Sequence, residues 1–326
     1  MKKLSLFFSL ASLMAYGADH VSSVELLYFK PTLEQSYYSI SGNHSFNGAN
    51  FPQGTRHNND PGFQPGFRLE GIYGTCDRLH ALDFRFAYFN ESNTERISGT
   101  FLFDTKGYPG DGAQTPSDTF YSGIAKYTQH FIYYGADATL NRFSFFDCLE
   151  NFSLILGLHF AKVQMQERAS SDGTSSDDTI LAVTNRFRRR SHFWGLGPQL
   201  GFEYRYRLFS RCGILSLGTN ARAALLATHT WADLQYTSER TGDTSVHLNN
   251  DPLWRVNPTI DIKVGLFYNC PFRCLNMTYE IGYEMLWYSD AVDSIIGYDV
   301  AFAGDTFDHF SSLHLQGPYF AVKVAF

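Results

Sequence analysis

Apolar and polar residues alternate along most of this chain, and a period of two marks a β-strand with two unlike faces. In Trp194–Leu208, one face carries Trp194, Leu196, Pro198, Leu200, Phe202, Tyr204, Tyr206 and Leu208, and the other Gly195, Gly197, Gln199, Gly201, Glu203, Arg205 and Arg207. Trp254–Tyr268, Leu275–Trp287 and Leu82–Tyr88 repeat the pattern. The alternation predicts ten strands, at 23–31, 65–75, 80–90, 123–140, 151–167, 193–208, 213–231, 252–268, 275–288 and 313–326. The connections 76–79, 141–150, 209–212 and 269–274 are short. Those at 32–64, 91–122, 168–192, 232–251 and 289–312 are long and rich in Gly, Ser, Asn and Asp.

The best of these strands exceed the ~5–6 residues usual in soluble sheets and suit the ~9–11 that a tilted membrane strand needs. Alternating short and long connections match tight periplasmic turns and long outer loops. An open sheet edge in lipid would leave backbone groups unpaired, so the sheet must close. The expected fold is all-β: a transmembrane antiparallel up-and-down β-barrel of about ten strands, within a range of about eight to twelve. The stretches Thr100–Asp104, Thr179–Thr184 and Trp231–Thr237 would extend strands past the membrane or add a pair.

The two ends agree with export. Lys2 and Lys3 precede the apolar run Leu4–Met14, and Ala15-Tyr16-Gly17 offers small residues for cleavage, which reads as a signal peptide over 1–17 with the barrel over 18–326. The last strand places Phe320, Val322, Val324 and Phe326 on one face, a pattern like the assembly signal that the barrel-assembly machinery of the outer membrane reads. The expected location is the Gram-negative outer membrane, with the membrane itself and its lipopolysaccharide as partners. The formal net charge of −6 argues against nucleic acid as a partner.

All four tryptophans, Trp194, Trp231, Trp254 and Trp287, fall on the predicted lipid face, at strand ends next to long loops, and so form one interfacial girdle. The opposite face collects Arg68, Arg85, Arg205, Arg207, Arg222, Arg255, Lys263 and Lys323 against Glu25, Glu70, Asp83, Asp137, Glu203, Asp261, Glu280 and Glu284. At mid-depth each Arg or Lys would cost roughly 2–4 kcal/mol against lipid, so these charges are expected to line the lumen. Either they border a narrow aqueous pore, or they pair across a nearly filled interior. The inward glycines Gly195, Gly197 and Gly201 leave space for an opening, or relieve crowding as the strand bends.

Several stretches are familiar: Glu25–Pro31, Pro65–Gly71, Phe193–Gly201, Arg255–Asp261, Tyr279–Trp287 and the closing strand from Leu313. On them the chain resembles the Legionella-type pore-forming outer-membrane proteins, a major-outer-membrane-protein-like family also found in Chlamydia-related bacteria. The resemblance implies a porin for passive diffusion of small hydrophilic solutes or ions. The alternative is a structural or adhesive surface protein whose largely plugged barrel is disulfide-linked into the envelope.

Cys76, Cys148, Cys212, Cys270 and Cys274 all sit in or beside the short turns, and the compartment permits disulfides. Cys270 and Cys274 have the spacing for a local bridge. The family resemblance supports links to cysteine-rich periplasmic proteins or to further copies of the chain. Their separate turns lack the paired spacing of a metal site. Arg186-Phe187-Arg188-Arg189-Arg190 is expected to end a long outer loop, where arginine suits lipopolysaccharide phosphates or an anion-attracting constriction. His130, His159, His192 and His229 have no spacing that fixes a nucleophile, base and orienter together, so neither catalysis nor a cofactor is expected.

Overall fold

The computed structural model describes residues 20–33, 37–41, 55–74, 80–104, 120–143, 152–175, 182–210, 213–238, 244–272, 275–297 and 306–325. The expected signal peptide at 1–17, together with Cys76, Cys148, Cys212, Cys274 and Phe326, lies outside them.

Ten strands close into a barrel in chain order. They are β1 (His20–Leu33), β4 (Gln64–Gly74), β5 (His80–Asp104), β6 (Phe120–Phe143), β7 (Phe152–Ser175), β8 (Ala182–Phe209), β9 (Ile214–Ser238), β11 (Leu253–Phe272), β12 (Leu275–Gly297) and β13 (Thr306–Ala325). Every neighbour is antiparallel, and β13 pairs with β1 to leave no free edge. The small strands β2 (Tyr37–Ser41) and β3 (Thr55–Asn58) form a hairpin on the end of β5, and β10 (Thr244–Asn249) pairs with the end of β9.

The hydrogen-bonded register is staggered around the ring. From Leu27, partners across β4, β5, β6 and β7 reach β8 at Phe193. In the other direction, through β13, β12, β11 and β9, they reach β8 at Arg205, twelve positions away. Spread over ten strands, that stagger tilts each strand by roughly 40° to the barrel axis.

The same ladder decides which way each side chain points. Val24, Leu26, Phe84, Leu200, Val256 and Ile281 face outward with no protein cover, while Glu25, Arg68, Arg85 and Glu284 face inward and are buried. A soluble sandwich would place these sets the other way round. On β11 the outward face is apolar from Trp254 to Tyr268, about 35 Å along the axis at this tilt, enough for a ~25 Å lipid band and an aromatic residue at each end. No helix of the described residues is long and apolar enough to cross a membrane.

The strands run well past the expected boundaries on the long-loop side. β5 and β6 stay paired through Glu91↔Phe131 to Gly99↔Gly123, so much of the expected 91–122 loop is a ladder. Arg186–Arg190, expected as the end of a loop, lies inside β8 and pairs with both β7 and β9. Thr100–Asp104 and Trp231–Thr237 extend β5 and β9 in the same way.

Candidate functional site in the barrel interior

The inward side chains form stacked layers. On most strands the mid-barrel charged residue lies nearer the short turns and the apolar one nearer the long loops. Thus Glu25 precedes Leu27 and Phe29 on the rising β1, and Phe131 and Tyr133 precede Asp137 on the descending β6.

The charge layer is built from cross-strand neighbours and from residues facing each other across the interior. Glu25 and Arg68 are opposite one another on β1 and β4, at 2.8 Å. Arg68 also grips Glu284 of the distant β12 with both terminal nitrogens, at 2.9 and 2.5 Å. Lys263 closes the circuit by binding Glu25 at 2.9 Å. A second group joins Arg85 to Asp137 at 2.9 Å and to Asp261 at 3.6 Å, with Arg222 at 3.6 Å from Asp83. Below these, Lys323 bridges Glu70 at 2.9 Å and Glu280 at 3.5 Å, and Tyr319 donates to Glu280 at 2.6 Å. Glu25, Arg68 and Glu284 are 3, 4 and 0 % exposed, so they meet one another and not solvent. Such pairs exist only because each charge has its partner: the desolvation cost of a lone ion would be several kcal/mol.

Above the charges lies an apolar plug of Leu27, Phe29, Phe89, Phe131, Leu226, Leu286, Leu313 and Leu315. Phe29 and Phe131 are both 0 % exposed. Phe89 stands between them, with ring centroids 6.1 Å from Phe29 and 6.0 Å from Phe131. Tyr133 and Tyr288 couple the two layers. Their hydroxyls lie 2.7 Å apart, and Tyr288 reaches His159 at 3.1 Å, whose other ring nitrogen is 2.6 Å from Asp137.

The segment after β3 is tied to the barrel wall at the mouth. Asn59, just after β3, donates to Gln129 at 2.5 Å and accepts from Asn93 at 2.9 Å, and Lys30 meets Asp60 at 2.5 Å. Higher still, Glu167 binds Tyr127 and Arg189 beneath a second apolar cluster that includes Leu102, Phe187, Leu234 and Tyr236.

The structure therefore brings most of the expected lumen charges together as buried ion pairs. Arg205 and Glu203, 2.6 Å apart, and Arg207 stand at the short-turn rim and are partly or fully open to solvent. Arg255 sits apart from the network at the other end, stacked over Phe310 at 3.3 Å. The glycines do not open a space. A Cβ at Gly197 would lie 1.8 Å from the carbonyl oxygen of Leu225, so this residue lets β8 approach β9 closely.

The tryptophans all face outward. Trp194 and Trp254 meet edge to face at 5.5 Å, Trp231 stacks on His192 at 4.0 Å, and Trp287 lies lower on β12. Phe320, Val322 and Val324 share the outward face of β13. Cys270 is a free thiol, so the local bridge to Cys274 is not formed. Among the histidines considered for catalysis, His159 is the inward one and is buried in the network, whereas His130, His192 and His229 face outward.

A closed barrel with an uncovered apolar belt and its charges inside is an outer-membrane β-barrel. The family model described as Legionella pneumophila major outer membrane protein precursor matches residues 20–326, and the chain belongs to that family. No curated protein matches the sequence. Among solved structures, the outer membrane protease OmpT from Escherichia coli aligns at 7 % identity with a TM-score of 0.45, covering 94 % of this chain and 96 % of that one. A Pseudomonas aeruginosa FadL homologue aligns at 9 % identity and a TM-score of 0.32, covering 96 % and 91 %. The translocator domain of the autotransporter NalP from Neisseria meningitidis aligns at 8 % and 0.32, covering 99 % and 94 %. Likeness at this level carries no argument about function.

Proposed function

We propose that this protein is a plugged outer-membrane barrel whose role is structural and surface-presenting: a sealed anchor that carries strand extensions and loops above the membrane. The observation behind this reading is the double seal, a layer of buried ion pairs beneath a layer of buried aromatic and aliphatic side chains. Passive diffusion needs a continuous wet path, and both layers exclude water from the middle of the barrel. In this reading the His159–Asp137 pair, with Tyr288 and Arg85 around it, is part of the seal.

A pore for small solutes is the second reading. Family membership favours it, as does the make-up of the plug, whose described layers come from the barrel's own inward side chains and can rearrange within the ring. Planar-bilayer recording of the refolded full chain separates the two. Silent bilayers from correctly folded protein are the expected result. Steady, discrete conductance steps at low voltage would overturn the sealed reading in favour of a porin.

A further inference from the structure

We propose that the outward face of β7 and β8, just above the tryptophan girdle, is a binding site for a phosphorylated lipid headgroup of the outer leaflet. Arg168 and Arg188 are direct cross-strand partners on this face. Like charges placed opposite each other destabilise a sheet. With its side-chain amide turned so that oxygen meets donors, Gln166 accepts from Nε of Arg188 at 3.0 Å and from Nε of Arg168 at 3.1 Å, which holds both guanidiniums to one point. A second opposed pair, Arg96 and Lys126, continues the face across β5 and β6, and Arg186 and Arg190 flank Arg188 along β8.

Among the described residues, none of these six cations forms a salt bridge. The carboxylates on this side of the wall are few. Asp172 lies further out, between Ile124 and Thr184, and Asp233, opposite Arg190, is engaged by His247 at 2.5 Å. The contrast with the interior is sharp, since Arg68, Arg85, Arg189 and Lys263 all meet carboxylates there.

Depth selects the ligand. Arg190 and Arg188 lie two and three repeats of the pleat above Trp194, and one and two above His192, which pairs with Trp231. Tryptophan marks the headgroup level. A phosphate there meets two guanidinium forks already aimed at one place, and arginine binds phosphate through paired, charge-assisted hydrogen bonds. The site does not depend on whether the interior is sealed or open.

The test is a titration of refolded full-length protein in detergent micelles with bisphosphorylated lipid A, phosphate-free lipid A and inorganic phosphate. Bisphosphorylated lipid A should bind at least about tenfold more tightly than the phosphate-free form. Arg168→Gln with Arg188→Gln should abolish that preference, and Arg207→Gln, at the opposite rim, should leave it intact. If the Gln variants do not give the folded, heat-modifiable band, the Arg168→Lys and Arg188→Lys pair reads the same point, because lysine keeps the charge but loses the fork. Equal binding of the two lipid forms, or a preference unchanged in the folded double variant, would overturn the proposal. Saturation by inorganic phosphate at the affinity of the lipid would show a free-anion site and overturn the lipid assignment.

Discussion

Arg68 is the residue on which the charge layer turns, because it alone links Glu25 on a neighbouring strand to Glu284 across the interior. Replacing it with alanine leaves two buried carboxylates without their shared cation. Breaking a buried pair in this way typically costs about 3–5 kcal/mol, whereas replacing all partners by apolar residues of similar volume is often neutral. Arg68→Ala should therefore lower the midpoint of urea unfolding sharply, and a combined Arg68→Met, Glu284→Leu variant, which leaves Glu25 paired with Lys263, should recover most of the loss. Failure of the double variant to recover would mean that Glu25 needs both Arg68 and Lys263. Glu91 gives the opposite case. It faces inward, is 2 % exposed, and neither carboxylate oxygen has a hydrogen-bond partner among the described residues. An unsatisfied buried charged group is costly, so Glu91→Gln should stabilise the barrel by about 1–3 kcal/mol. A lower unfolding midpoint in that variant would show that the carboxylate is used.

At the level of the strand, the alternation made the barrel legible because lipid and interior impose opposite demands on successive residues. It failed where those demands vanish. Above the girdle both faces of β5 are polar, as in Glu91–Ser98, so the ladder with β6 left no hydrophobic period and read as a loop. The Arg186–Arg190 run was obscure for the same reason: its inward residues, Phe187 and Arg189, and its outward arginines do not separate by polarity. The apolar layer of the interior was not read, for the converse reason. Leu26–Phe29, Phe131–Tyr134 and Met285–Tyr288 are apolar at consecutive positions, which is how a strand buried on both faces reads. Those runs were the available signal for a filled interior, while the cross-barrel pairing of Arg68 with Glu284 needed the closed ring. β8 also shows why its glycines are there. Gly197→Ala would drive a Cβ into the Leu225 carbonyl and force β8 from β9, with an expected loss of about 1–3 kcal/mol, visible as a lower temperature for the heat-modifiable shift. An unchanged shift would place the two strands further apart than described.

For the whole molecule, the sealed reading proposed above makes the two layers seals in series, with a consequence for conductance that neither layer has alone. Water and ions must pass both the ion-pair layer around Arg68, Lys263 and Glu284 and the apolar layer around Phe29, Phe89 and Phe131. Shortening the aromatic side chains, as in Phe89→Ala with Phe131→Ala, leaves the paired charges below to block the path. Weakening the charge layer, as in the Arg68→Met, Glu284→Leu variant, leaves an apolar constriction that stays dry. Each variant alone should be as silent in planar bilayers as the parent, and only the combination should conduct. The combination also carries the sum of two destabilisations, so its fold must be checked by heat-modifiable migration before any current is read. Conductance from the charge-layer variant alone would show that the aromatic layer does not seal. Conductance from the aromatic variant alone would show that ions traverse the paired charges. In the second case the same residues that hold the barrel together would set its selectivity, and Lys263→Gln, which frees one side of Glu25, should then shift the reversal potential toward cations.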